Sequence, residues 1–200
     1  MCRVSLGLGF WQFGQRADVP AKAWLAQELM GRAWERAGAG VAEPVPWPWT
    51  GTWPVARLIA KEGQVSLVVL AGGSGRTLAF GPGHLGVSAA PGEAGNSVIA
   101  GHRDTYFRFL KDLAVGEAVW IESVDGTRHR YTVVHLDVVD ARRASLSLDT
   151  DDSMLSLVTG YPFDAREPGG SLRYVVSAVK DAGVDANALA AISSGTAPRP

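Results

Sequence analysis

The first apolar rhythm along the chain is helical. Residues 19–37, VPAKAWLAQELMGRAWERA, place Ala23, Trp24, Leu25, Leu29, Met30, Ala33 and Trp34 at the three- and four-residue spacing of an amphipathic helix. Pro20 is tolerated near its first turn, and GAG at 38–40 ends it. The next stretch, EPVPWPWTGTWP, carries four prolines, which remove amide donors and fix φ, so neither a helix nor an interior strand forms there. It reads as a structured linker or an extended arm. Beyond it the pattern breaks into short β-type runs: VARLIA, VSLVVL, SVIA, AVWIE, YTVVHLDVV, LSLVTG and LRYVVSAV. Asp125-Gly126, inside the VDGTRHR that separates AVWIE from YTVVHLDVV, is a strong hairpin signal. Only TYFRFLKDL, 105–113, has a helical look in this region. Many short strands and few helices predict a mostly β fold, a closed or nearly closed barrel. The tail at 181–200 has little to bury and is expected to fray.

Composition narrows the function classes. A hydrophobic fraction of 46% and a charged fraction of 20% belong to a globular core and exclude a disordered chain. A net charge of -1 offers no global basic field for nucleic acid. Five of the seven tryptophans lie between Trp24 and Trp53, where indole suits either core packing or an apolar–polar boundary such as a membrane interface. Cys2 is the only cysteine, so the chain forms no internal disulfide. VSLGLGFWQF, 4–13, is apolar but shorter than the roughly 20 residues that span a bilayer. It fits a signal-like core, the end of a membrane anchor, or a partly buried N-terminal segment.

Several chemical motifs fail on inspection. GPGHLG, 81–86, has dinucleotide-loop spacing, but Pro82 interrupts it and no helix follows, so it reads as a loop. GGSGR, 72–76, lacks the last glycine of a nucleophile elbow. His84, His102, His129 and His135 have no metal-ligand spacing, and no metal or cofactor is expected. One stretch does stand out: PGEAGNSVIAGHRDTYFRFLKDLAVGE, 91–117. A strand from Ser97 to Ala100 delivers His102 onto a polar loop, where imidazole acts as an acid or base near neutral pH or simply pairs with Asp104. LSLVTG ends on Gly160, a strand end that presents no side chain. Arg173 opens the next strand, so an antiparallel pairing sets it beside Gly160, to stabilise an oxyanion or to pair with Asp164 or Glu167.

Taken together, GPGHL with PGEAGN, VIAGHRDTYFRFL, LSLVTGYPFDA and LRYVV resemble the sortases, cysteine transpeptidases of the bacterial envelope, over roughly residues 17–180. The likeness is greatest to the class found in Gram-negative bacteria. It implies a closed barrel of about eight strands, with a short helix after the histidine and an N-terminal helix. It implies that His102 is the acid/base, Arg173 the oxyanion or substrate-backbone partner, and Thr159 a substrate-binding residue. The family cysteine falls on Gly160, so the chain is expected to be inactive as written. An engineered replacement and a natural paralogue without catalysis both account for that glycine. Cys2, ahead of the N-terminal helix, is not expected to replace it.

By the same resemblance the substrates are an LPxTG-like sorting-signal peptide, cut at Thr–Gly through a thioacyl intermediate, and an acceptor amine. The alternative is a non-catalytic peptide-binding module of the cell envelope. VVDARRASLSLDTDDS would be its specificity loop, with Arg142 and Arg143 either facing an acidic ligand or simply solvated. The expected organisation is an anchor or signal remnant at 1–16, the amphipathic helix at 17–43, the barrel at 44–180 and the tail at 181–200. The anchor would sit in the inner membrane with the domain in the periplasm.

Overall fold

The computed structural model describes residues 25–165, apart from residue 27, and 170–185, with side chains described through 182. Residues 28–38 form helix α1, whose Met30, Ala33, Trp34 and Ala37 are buried at the spacing of one helical face. Leu25, expected on that face, is exposed instead. The Arg57 guanidinium lies 5.0 Å from the centre of the Trp34 ring, which docks α1 on the outside of the barrel through a cation–π contact. Residues 19–24 and residue 27 of the expected helix, and the apolar segment 4–13, lie outside the described residues.

Eight strands follow: β1 (Pro54–Ala60), β2 (Val65–Ala71), β3 (Gly83–His84), β4 (Gly95–Ala100), β5 (Ala118–Ser123), β6 (Arg128–Asp140), β7 (Ser153–Gly160) and β8 (Leu172–Asp185). They close in the order β1-β2-β3-β4-β7-β8-β6-β5, with β1 hydrogen-bonded to β5. The mostly β, closed-barrel expectation therefore holds. β1 shows how the sequence pattern becomes a wall: Ala56, Leu58 and Ala60 point into the core while Arg57 and Ile59 face out. Leu155 and Leu157 of β7, Ile99 of β4 and Val176 of β8 fill the same interior. Each such aliphatic side chain contributes about 1.5–3 kcal/mol by leaving water.

The Asp125-Gly126 hairpin is present, with Gly126 at φ 85 between β5 and β6. The expected helix at 105–113 is shorter and tighter, a 3-10 segment at Arg108–Asp112. Phe107, Leu110 and Leu113 are all buried, a repeat of three that matches the 3-10 period better than the α period. Gly83 and His84, read as loop, instead make the two-residue strand β3, bonded to β2 on one side and β4 on the other. β8 runs beyond the expected end of the barrel to Asp185, opposite His129. Residues 186–200 lie outside the described residues. Ser74 caps a four-residue helix, α2 (Gly75–Leu78), by accepting the Thr77 amide hydrogen, so GGSGR is a helix start.

Candidate active site

Strand direction creates the site. β4 and β7 run parallel, from Gly95 opposite Ser153 to Ala100 opposite Val158, so both leave the sheet at the same rim. β4 exits into Gly101-His102-Arg103, and β7 ends at Gly160. β8 enters antiparallel at that rim and places Arg173 opposite Gly160. Three segments far apart in sequence thus deliver His102, Gly160 and Arg173 to one cleft of about 350 Å³, which Ala100, Arg103 and Thr159 also line.

Short contacts hold the rim. The Gly101 amide donates to the Val158 carbonyl at 3.1 Å. Thr159 Oγ1 donates to the Gly101 carbonyl at 2.7 Å, and Thr159 is buried. That hydroxyl is committed to the backbone, so the part it plays is to tie the end of β7 to the His102 turn. The Phe107 amide closes this turn on the His102 carbonyl at 2.9 Å. Gly101 permits the closure: a Cβ there would lie 2.8 Å from the nearest ring carbon of Phe107, which is fully buried. His102 itself is exposed at the mouth of the cleft.

Gly160 lies on the outer face of β7, between inward-facing Thr159 and the turn, as side-chain alternation requires. A Cβ built on it would stand 3.1 Å from Arg103 Nη1 and 3.4 Å from Arg103 Cδ. The Arg103 side chain therefore packs close against the glycine, and any side chain at 160 requires it to give by a few tenths of an ångström. Arg103 Nη2 also donates to the Ala165 carbonyl at 3.2 Å. Arg173 Nη1 donates to the carbonyls of Gly170 at 2.6 Å and Leu172 at 2.8 Å. Sequence reasoning assigned Arg173 but gave Arg103 no role. The only available signal was its place directly after His102, and where its side chain lies depends on the folded turn.

Beside the cleft, Val158 and Arg173 also border a groove of about 380 Å³ between β6, β8 and the 141–152 loop. Val139, Leu146 and Val175 make its floor and wall apolar. The loop is strapped over β4, where buried Asn96 donates from Nδ2 to the Ser147 carbonyl at 2.9 Å and from its amide to the Leu148 carbonyl at 3.0 Å. Arg142, considered for an acidic ligand, instead donates from Nε and Nη2 to the two carboxylate oxygens of Asp140, at 3.1 and 2.9 Å. That contact holds the Asp140 carboxyl well below the usual carboxylate range.

Elsewhere Tyr161 stacks on Tyr174 with centroids 6.3 Å apart, and Phe163 meets Tyr174 edge-on at 5.2 Å, which makes an aromatic plug under the rim. Burial pushes the Tyr174 phenol up, so it stays neutral. The remaining histidines serve other places: His84 Nε2 is 2.9 Å from the Ala89 carbonyl, His129 packs on Gly92, and His135 is 3.9 Å from Asp137. Among the described residues, no three His, Cys, Asp or Glu gather as metal ligands would.

Comparison with known proteins agrees with this geometry. The family model of the sortase domain matches residues 59–181. Sortase D of Bacillus subtilis is 34% identical over 101 residues, 50% of each chain, so the present chain spans about half the length of that relative. Among solved structures, the sortase D5 transpeptidase of Clostridium perfringens superposes with a TM-score of 0.56 at 26% identity, over 64% of this chain and 79% of that one. Sortase C-1 of Actinomyces oris gives a TM-score of 0.56 at 29% identity, over 64% and 72%. A lid mutant of sortase A from Corynebacterium diphtheriae shares the fold, with a TM-score of 0.61 at 22% identity over 81% and 96%. With an eight-stranded closed barrel whose rim gathers His102, Gly160 and Arg173, and a domain match over most of its length, this chain belongs to the sortase family.

Proposed function

We propose that this barrel is built for sortase-type transpeptidation of an LPxTG-like sorting signal, and that the chain as written binds such a peptide without turning it over. The observation that carries the reading is the convergence of His102, Gly160 and Arg173 on one rim, next to an apolar groove. With a cysteine at 160, the thiol would point towards Arg103 and lie across from Arg173, and neighbouring cations favour the thiolate. The thiolate would attack the Thr carbonyl carbon, and the C–N bond to Gly would break as His102 gives a proton to the leaving amine. An acceptor amine would then attack the thioester, lose a proton to His102 and release the sulfur, leaving a new amide. Arg173 would stabilise the oxyanion in both steps. Gly160 has no atom that performs the first attack.

The Gram-negative class rests on the quoted landmarks alone. So does the placement of the domain in the periplasm, tethered to the inner membrane by the segment before residue 17. Among the described residues no helix is long and apolar enough to cross a membrane, and residues 1–24 lie outside them.

The test restores the thiol. Gly160→Cys and the native chain are incubated with a panel of LPxTG-like peptides and an amine, and mass spectrometry reads thioacyl adducts and Thr–Gly cleavage. Adducts are expected only with Gly160→Cys, and are lost with His102→Ala or Arg173→Ala added. Turnover by the native chain would overturn the assigned nucleophile position.

A further inference from the structure

We infer that the open edge of β2 at Ser66, facing the segment 105–112, is the docking groove for the acceptor, an extended acidic peptide that adds there as a strand and carries its amine to His102. The inference rests on the proposed function, because it places the second substrate of that reaction. Strand pairing leaves the edge open. The amides of Leu70, Ala71 and Gly72 donate in turn to the carbonyls of Pro82, Trp53 and His84, so even-numbered residues of β2 face away from β1. Carried back along the strand, that alternation turns the N–H and C=O groups of Val68 and Ser66 to the same side. β3 pairs only with Leu70 and Ala71, and Gly81 packs over the Val68 carbonyl, where a Cβ would come within 3.2 Å. Ser66 is exposed, and among the described residues nothing pairs with its backbone on that side. An unpaired edge beside a groove is a template for strand addition.

The facing wall supplies shape and charge. Between this edge and residues 105–112 lies a groove of about 500 Å³. Val65, Leu67, Tyr106 and Phe109 pack partly against the core and give the groove apolar walls. Arg108 and Lys111 line it against the single carboxylate of Asp112, and neither cation makes an ion pair among the described residues. An acidic strand therefore meets net positive charge, while its alternate apolar side chains meet the walls. The groove also adjoins the catalytic cleft: Asp104 lines the cleft, and Thr105, the next residue, lines the groove. The sorting-signal groove meets the cleft at Val158 and Arg173 instead, so the two substrates approach His102 along different walls. At the cleft the acceptor amine forms the new C–N bond as the C–S bond of the thioester breaks, and its proton passes to His102.

The probe is Ala-Glu-Val-Glu-Val amide with a free N-terminal amine, titrated into the isotope-labelled native chain and read by NMR. Amide shifts are expected at Ser66, Val68 and residues 105–112. The same peptide N-methylated at its valines should bind about three- to tenfold more weakly, the scale of one backbone hydrogen bond. Ser66→Pro, which removes an edge amide that β1 does not use, should have the same effect. Arg108→Glu with Lys111→Glu, both at exposed positions, should weaken binding about fivefold, the scale of two surface pairs. In Gly160→Cys, that double substitution should shift product from the amide to the hydrolysed acid without slowing thioacyl formation. Equal binding of the N-methylated peptide, or shifts that miss Ser66, would overturn strand addition, while adducts with Gly160→Cys would leave the proposed function standing. Binding at Ser66 with amide yield unchanged by the double substitution would overturn the acceptor assignment. No adduct with any sorting peptide would overturn the proposed function and the acceptor role with it.

Discussion

Thr159→Val tests what holds the rim together. The substitution keeps the shape of the side chain and deletes one hydroxyl, which donates at 2.7 Å to the carbonyl of buried Gly101. Valine leaves that carbonyl without its side-chain donor, so the expected cost is the desolvation of one buried acceptor, about 1–3 kcal/mol. In a chain of 200 residues this lowers Tm by about 2–4 °C for each kcal/mol. Thr159→Ser separates the hydrogen bond from packing, because it keeps the donor and loses one methyl, worth about 0.8 kcal/mol. Urea unfolding followed by tryptophan fluorescence and circular dichroism would give both values, with the m-value checking that the denatured state is unchanged. The expected order is native, then Ser, then Val. A valine variant as stable as the native chain, or a serine variant less stable than valine, would refute the view that the hydroxyl ties β7 to the His102 turn.

Gly101→Ala should cost about 1–3 kcal/mol, because the new methyl meets Phe107 ring carbons at 2.8–3.0 Å and a buried ring has little room to retreat; denaturant unfolding reads the loss, and an unchanged midpoint would argue against the close approach. Asp140→Asn probes the loop over the groove. Arg142 holds the Asp140 carboxyl below its unfolded value, so the stabilisation is present above about pH 4 and is lost as pH falls through the depressed folded value. Amide exchange of residues 141–144 should therefore be faster in Asp140→Asn than in the native chain at pH 7. The gap should narrow only in strong acid, and a gap that widens on acidification would contradict the pairing.

Much of this protein is written locally. Alternation in VARLIA and LSLVTG, the Asp125-Gly126 turn and the prolines of 44–54 each act over a few residues, and the barrel strands follow from them. The antiparallel neighbours β7 and β8 are joined by a short connection, which made the pairing of Gly160 with Arg173 readable before any fold was known. Where expectation and fold part, a partner distant in the chain decides. Gly83-His84 becomes a strand because β2 and β4 flank it, and 105–113 tightens to 3-10 because Phe107, Leu110 and Leu113 must all enter one core. Arg142 is spent on Asp140, a contact that depends on how the loop folds back.

By itself, then, the sequence determined seven of the eight strands, the class of fold and the three residues that carry the family likeness, since all of these depend on local pattern or on fixed motifs. Only the tertiary structure decided that β4 and β7 run parallel and end together, which brings His102 to Gly160 across a connection of more than fifty residues. It alone set Arg103 against Gly160, because the direction of a side chain on a turn follows from the packing of Phe107 beneath it and from the hydrogen bond to Ala165 beside it.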